Sequence, residues 1–385
     1  MYATISDLLR DLFGINIPLP IQTFGFMMAL SFVAAYLVMT SELKRKEANG
    51  LLKPFKVKKK INEKVTLVDY VTAVTIGAFI GFKFLEMVLD YDALVENPQK
   101  FILSAKGSWF GALLGGAYSY YQKKKEADAL KGKQEQIIEV LTHPYELMGN
   151  IVAIAAIGGI LGAKIFHNLE NLDELLADPI GSLISFSGLT FYGGLIVAAV
   201  GIIYYVGKHG IGGWIISDAA AAALMVSYGM GRIGCHLSGD GDWGVDNLAP
   251  KPNSLSFLPD WAWAYRYPNN VLGEGVPIPG CEGQHCNQLL NPVFPTPFYE
   301  AVACIVLFVF LWSIRKRFTI PGTFFLFYLL LNGIERFMIE KIRVNTTYKI
   351  LGNGITQAEI ISFVFIIGSV LGMIYLYNKD KRKLA

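Results

Sequence analysis

The chain has 385 residues, of which 53% are hydrophobic and only 17% charged, with a formal net charge of +3 and a mean hydropathy of +0.41. A soluble chain carries nearer a quarter of its residues charged, so this balance excludes an ordinary soluble enzyme and reads as an integral membrane protein. The small positive excess lies in short tracts beside apolar runs, which excludes a nucleic-acid surface, and four cysteines exclude a disulfide scaffold.

The opening stretch MYATISDLLRDLFGIN is acidic and weakly amphipathic and has no small-residue cleavage site, so no secretory signal peptide is expected. Nine candidate spans follow, at about 20–40, 68–90, 105–121, 149–167, 188–206, 214–236, 298–314, 321–340 and 357–377. They lack period-2 alternation and therefore read as helices rather than barrel strands. The fold class expected is all-α: a polytopic helical bundle in the membrane.

Nine lysines and arginines lie between Lys44 and Lys64, and further basic tracts stand at 123–125, 207–210, 315–317 and the end of the chain. All fall on one side if the N-terminus is outside, and the positive-inside rule then makes that side, with the C-terminus, cytoplasmic. The outer loops become 92–104, 169–186, 237–297 and 341–356. The expected organisation is an N-terminal segment with the first span and a basic loop (1–67), a two-helix unit with a cytoplasmic linker (68–148), a membrane core (149–377) and a basic tail (378–385). Within the long outer loop, CEGQHC (281–286) offers a disulfide between Cys281 and Cys286, or a metal site that would add His285.

The two-helix unit occurs twice. IGAFIGFKF (76–84) and IGGILGAKI (157–165) align at an offset of 81, which also places Asn97-Pro98 on Asp178-Pro179, Gly107 on Gly188 and Phe110 on Phe191. Small residues recur in membrane helices for close packing, but one register held over 35 residues points to duplication. The second copy, with TFYGGLI (190–196), is expected to be the working one.

Charges inside the spans carry the chemistry. Arg232 stands in the last turns of the sixth span, in MGRIGCHLSGDGDWG (230–244), with His236 one helical turn on. Gly239, Gly241 and Gly244 break the helix there and bring Asp240 back toward it. In NGIERFMIEKIR (332–343), Arg336 and Glu340 are one turn apart and approach the same outer face. Two arginines at one depth suit an anionic phosphodiester at headgroup level; the alternatives are snorkelling of Arg232 to the interface with pairing to Asp240 or Asp242, and a plain interhelical salt-bridge network. Tyr192 enters at that level ahead of Gly193-Gly194, where it is either a site hydroxyl or an interface-belt tyrosine.

These segments together resemble the bacterial prolipoprotein diacylglyceryl transferase family. GRIGCHLSGDGDWG (231–244) is similar to its signature, TFYGGLI to its His-Gly-Gly-Leu segment, PTPFYEA (295–301) to its Pro-Thr-x-x-Tyr-Glu motif, and PGTFFLFYLLLNGIERFMIEKIR (321–343) to its Arg-Phe-x-x-Glu helix. The resemblance implies seven spans with the N-terminus outside, raised to nine by an inserted hairpin, in the plasma (inner) membrane. It also implies transfer of the diacylglyceryl group of phosphatidylglycerol to the lipobox cysteine thiol of preprolipoproteins, with no cofactor and no metal. By resemblance, Arg232, Arg336, His236 and Tyr192 are the catalytic candidates. Gly193, Gly194, Gly239, Asp240, Gly244, Tyr299, Glu300 and Glu340 are the substrate-binding ones, in contact with membrane lipid and the two substrates. The family's histidine before the glycine pair is Tyr192, its signature asparagine is Cys235, and its first-span tyrosine is Phe24. His236 is chemically suited to take over as base. Two other readings stand beside this one: a related transferase with another acceptor, and a catalytically silent lipid-binding subunit of a membrane assembly.

Overall fold

A computed structural model describes residues 1–96, 98–184, 190–345, 347–350 and 353–384. In chain order the elements are α1 (Ile5–Phe13), α2 (Thr23–Ala48), β1 (Phe55–Ile61), α3 (Leu67–Leu89), α4 (Tyr91–Glu96), α5 (Pro98–Leu103), α6 (Trp109–Leu130) and β2 (Gln136–Thr142). They continue as α7 (Met148–Glu170), α8 (Leu172–Ala177), α9 (Pro179–Ile184), α10 (Phe191–Gly207), α11 (Gly213–Ser238), β3 (Val276–Pro277), β4 (Asn287–Gln288), α12 (Thr296–Ile314), α13 (Thr323–Glu340), β5 (Thr347–Ile350), β6 (Asn353–Thr356) and α14 (Gln357–Leu384). Among the described residues six helices are long and apolar enough to cross a bilayer: α2, α3, α7, α11, α12 and α14. Helices α6, α10 and α13 occupy the remaining candidate spans. The protein is a polytopic helical membrane bundle, with three short antiparallel ribbons among the described residues.

The chain divides into two compact units, one of Met1–Leu8, Gln22–Lys53 and Pro144–Ala385, the other of Leu9–Ile21 and Pro54–His143. In the first unit α11 packs against α2, α12 and α13. Its Ala219–Ala223 run lets neighbouring backbones come close, the usual basis of helix association where lipid is as apolar as the side chains. Ala221, Ala222 and Met225 meet Cys304 and Leu311 of α12 and Phe324 and Tyr328 of α13 in the buried core. Asp218, also buried, accepts hydrogen bonds from the Gly322 N–H at 2.8 Å and the Phe325 N–H at 2.9 Å. One carboxylate of α11 thus satisfies the orphan donors at the start of α13, where the helix dipole favours negative charge.

Between α11 and α12 the chain builds a loop domain whose small core is Trp243, Tyr267, Leu289 and Val293. Cys281 and Cys286 form a disulfide within it, so the two sulfurs are bonded to each other rather than offered to a metal. The N-terminus is tied to this region: the Met1 ammonium donates to the Pro268 carbonyl and the Tyr2 N–H to the Leu237 carbonyl, both at 2.8 Å.

The second unit is a helical hairpin closed by a ribbon. Strands β1 and β2 pair antiparallel from Phe55↔Thr142 to Ile61↔Gln136, so the chain enters and leaves at one place. The basic tract FKVKKKI, expected as loop, is therefore half of a ribbon; Phe55, Val57 and Ile61 alternate with its lysines on the half-buried face, a period-2 signal short enough to be masked by the charge.

Each unit holds one copy of the repeat, in the same order: long helix, two short helices, long helix. In the first copy α3 crosses α6 so closely that a Cβ on Gly81 would lie 2.1 Å from the Gly111 carbonyl oxygen; in the second a Cβ on Gly162 would lie 2.4 Å from that of Gly193. The Ser108 N–H donates to the Phe82 carbonyl at 3.0 Å, and the Thr190 N–H to the Ala163 carbonyl at 3.1 Å. These pairs correct the alignment. The offset is 81 on the first helix but 82 on the last, because the second copy has one more residue between Pro179 and Thr190. Phe110 therefore corresponds to Tyr192, not Phe191, and Gly111 to Gly193.

Candidate functional site

Glu300 is the centre of the charged layer. It lies in the first turns of α12, wholly buried, and Tyr228 of α11 donates its hydroxyl proton to Oε2. Arg232, one turn beyond Tyr228, brings Nε within 2.9 Å of the same oxygen, and its guanidinium stands 5.2 Å from the Tyr228 ring centroid. Arg336 reaches Oε2 from α13 at 3.7 Å, and Arg343, just past the end of α13, reaches Oε1 at 2.9 Å. Three guanidiniums from two helices and a loop thus share one carboxylate.

A second carboxylate bridges two of them. Asp242 hydrogen-bonds to both Arg232 and Arg343. Burial alone would raise its pKa; Arg232 and Arg343 outweigh burial and hold it below the usual carboxylate value. Its backbone carbonyl accepts from Thr296 Oγ1 at 2.7 Å, which fixes the loop over the start of α12. Arg336 is held from the other side by Glu340, 3.1 Å away and one turn on, and Glu340 also accepts from Asn345 at 2.6 Å.

The glycines explain how the loop returns. Gly239 ends α11 in the left-handed region, φ +67°, where a side chain would be strained. Gly244 lies flat against the segment just past α13, in an isolated antiparallel bridge with Arg343: Val245 N–H donates to the Ile342 carbonyl at 2.9 Å, and a Cβ on Gly244 would sit 2.4 Å from that oxygen. The closing glycine of the signature is therefore what lets Asp242 and Arg343 meet.

The other expected site residues separate into groups. Gly193 and Gly194 are buried helix-packing positions, facing Phe166, Gly162 and Ala163. Tyr192, half-buried at the start of α10, lies within the electrostatic influence of Arg336 and Glu340. Tyr299 is a strut: its hydroxyl donates to the Ala262 carbonyl in the loop domain at 2.8 Å. Cys235 sits under the layer, its sulfur 4.0 Å from Arg232 Nη1 and within 4.8 Å of carboxylate oxygens of Asp240 and Asp242. Phe24 of α2 packs beside it, its ring 3.3 Å from where a Cβ on Gly234 would be.

Two placements differ from the sequence expectation. Asp240 was the expected partner of Arg232, but Asp242 pairs with it. The left-handed turns at Gly239 and Gly241 carry the chain past Asp240, whose Oδ1 is buried without a hydrogen bond and whose pKa burial raises. His236 turns away from the arginines into an aromatic cage. Its Nδ1 is 3.2 Å from the Tyr267 hydroxyl, with the rings of Trp261, Phe298, Tyr267 and Tyr265 centred 5.5–6.1 Å away. This cage opens on a mostly apolar cavity of about 530 Å³ lined also by Met1, Ile233 and Ala301.

Sequence reasoning missed Tyr228, Asp242 and Arg343 as site residues. The first and last carry a helical signal: Tyr228 is four residues before Arg232, and Arg343 is seven after Arg336, hence on one face in each case. Asp242, open beside Asp240 as a partner of Arg232, carries no signal that separates the two, because the turn that favours it is tertiary.

A family model described as prolipoprotein diacylglyceryl transferase matches residues 10–131 and 129–375. Each match contains one copy of the hairpin. The chain is 23% identical over 281 residues to a phosphatidylglycerol–prolipoprotein diacylglyceryl transferase of Shouchella clausii, covering 72% of this chain and 89% of that protein. It is 27% identical over 240 residues to the enzyme of that name from Dehalococcoides mccartyi, 62% and 80% of the two chains. With the one from Oceanobacillus iheyensis it shares 26% over 271 residues, 69% and 83%.

Proposed function

The chain belongs to the prolipoprotein diacylglyceryl transferase family, and on that premise we propose that the layer around Glu300 is where phosphatidylglycerol is held while its diacylglyceryl group moves to the prolipoprotein thiol. The protein is a multi-pass transferase of the bacterial plasma membrane acting in lipoprotein biosynthesis. The observation that carries the site assignment is the sharing of one fully buried carboxylate by Arg232, Arg336 and Arg343. Three guanidiniums held in place by acidic partners at one depth of a membrane bundle present oriented donors to an anion, and a phosphodiester is the anion the reaction provides.

The lipobox thiolate attacks the glycerol carbon that bears the phosphate. A C–S bond forms, the C–O bond to phosphate breaks, and glycerol phosphate departs with the electron pair. The phosphate gains charge as it leaves. Guanidiniums already oriented by Glu300, Asp242 and Glu340 stabilise that charge without reorganising, at about 3–4 kcal/mol for a well-placed donor. Arg232 and Arg336 are the groups assigned to the phosphate, Arg343 and Glu300 to their orientation. Tyr192, within the influence of Arg336, is assigned to the substrate end of the layer. His236 in its aromatic cage is assigned to the acceptor side rather than to the phosphate.

The N-terminus and 237–297 lie outside and the lysine tracts at 41–66 and 122–148 inside in this reading, which the distribution of bases supports. The second copy of the hairpin is the working one, since it brings Tyr192 toward Arg336 where the first has Phe110.

The test is transfer in proteoliposomes of purified protein, phosphatidylglycerol and a lipobox peptide. Wild type forms thioether-linked diacylglyceryl peptide; R232K and R336K, which keep the charge but lose the planar fork, lose most of it. Y192F and H236A distinguish the two candidate ends of the site. Unchanged product in both arginine variants contradicts the assignment, and lipid binding without product in wild type favours the silent lipid-binding reading.

A further inference from the structure

Three guanidiniums in the layer, Arg232, Arg336 and Arg343, face three carboxylates that pair with them, Glu300, Glu340 and Asp242. With all six ionised the layer is formally neutral before any lipid arrives. Two further acids stand at it without a pairing cation. Asp240 Oδ1 and both carboxyl oxygens of Glu335 are buried, and none has a hydrogen-bond partner among the described residues.

Glu335 is the one built into the bundle. It precedes Arg336 on α13, and among the described residues its carboxyl oxygens make no hydrogen bond or salt bridge, although Arg336 Nη1 and Arg343 Nε are also buried without a hydrogen-bond partner. From α11 it faces Tyr228, whose proton is given to Glu300, and Arg232, whose guanidinium is given to Glu300 and Asp242. From α12 it faces Glu300, a like charge, and Cys304. On its own helix are Tyr328 and Arg336, the latter held by Glu340 and Glu300, and beyond it Arg343, held by Glu300 and Asp242. Helix α14, which meets α13 at Gly333, contributes Ser362, Phe365 and Ile366 there, while its acid Glu359 pairs with Lys341. Every cation near Glu335 is already committed to another carboxylate.

An ionised Glu335 would therefore add an uncompensated negative charge to a neutral layer that has to receive a phosphodiester. Like charges at one buried site exclude each other. We propose that Glu335 gates the anion site by its protonation: phosphatidylglycerol binds to the form in which Glu335 carries a proton, and the ionised carboxylate repels the lipid phosphate. This rests on the assignment of the layer to that phosphate. Glu335 is a positioning residue, touching no reacting atom and acting through the charge it adds to or withholds from Arg336 and Glu300. The sign follows from linkage: affinity is full where Glu335 is protonated and falls as pH rises through its titration, by up to about tenfold per pH unit.

The experiment is equilibrium binding of phosphatidylglycerol, without acceptor peptide, to the full-length protein in phosphatidylcholine nanodiscs from pH 5.5 to 9. Wild type shows a Kd that climbs on the alkaline side. E335Q, which keeps the shape but cannot ionise, shows no climb, and D240N keeps the wild-type one. Parallel profiles for wild type and E335Q overturn the proposal, as does loss of the climb in D240N. Binding by neither protein at any pH removes the lipid-phosphate reading itself. Should E335Q fail to fold, calorimetry of wild type in buffers of different ionisation enthalpy reads the same linkage: proton uptake on binding is expected, and none overturns it.

Discussion

Replacing Glu300 by glutamine keeps the volume of the hub and removes its charge. The wild-type carboxylate receives Arg232 and Arg343 at 2.9 Å each, Arg336 at 3.7 Å and the Tyr228 hydroxyl. A hydrogen bond to a charged group contributes about 1.5–3 kcal/mol and a neutral one about 0.5–1.5. Neutralising the acceptor of the two close contacts therefore costs about 2–3 kcal/mol, and the amide NH₂ must also face a guanidinium. Expressed in the transition state, that is roughly a 30- to 150-fold loss in kcat/KM. The assay is initial-rate transfer in proteoliposomes, with thermal unfolding in detergent recorded in parallel. The loss should fall mainly on kcat, because the charges act on the departing phosphate. A kcat/KM within threefold of wild type in a folded E300Q protein would refute the hub. If E300Q does not fold, R343K removes one arm only and is expected to show the smaller loss of a single contact.

Asp242 is held below its usual pKa because Arg232 and Arg343 outweigh burial, so its pairing is complete above the ordinary carboxylate value and disappears as pH falls through the lowered one. Transfer should accordingly hold down through the ordinary carboxylate range and fall only below it, and D242N should lower the plateau and remove that acid limb in a pH–rate profile. Gly193→Ala places a Cβ 2.3 Å from that of Phe166, so α7 and α10 must separate; a stability loss of about 1–3 kcal/mol is expected in unfolding measurements. Excising 54–143 removes a segment whose two ends are paired at Phe55 and Thr142, so a short linker should join 53 to 144 and the remainder should still insert and fold, as checked by protease protection and unfolding.

Much of the membrane architecture is legible because lipid imposes a simple rule: long apolar runs must be helices, and lysines mark their ends. Arg336 and Glu340 are legible for the same reason, since a charged pair one turn apart in an apolar helix is conspicuous. The hub is not. Glu300 receives Arg232 from 68 residues before it and Arg343 from 43 after it, and only the crossing of α11, α12 and α13 brings them to one depth. His236 illustrates the opposite hazard. It is one turn from Arg232 in sequence, yet its ring enters a cage of aromatics supplied by the 261–267 loop and Phe298, which no local pattern announces. Similarly, the duplicated hairpin is visible in its glycines, but the extra residue in the second copy is visible only where Gly111 and Gly193 meet their partners.

The central claim is that the phosphate of phosphatidylglycerol sits at the guanidinium layer on Glu300. A structure of the protein in a nanodisc containing phosphatidylglycerol tests it directly. The phosphate is expected within hydrogen-bonding distance of both Arg232 and Arg336, with Glu300 still behind them. A phosphate bound elsewhere, such as in the cavity beside His236, with the arginines paired only to carboxylates, would contradict it.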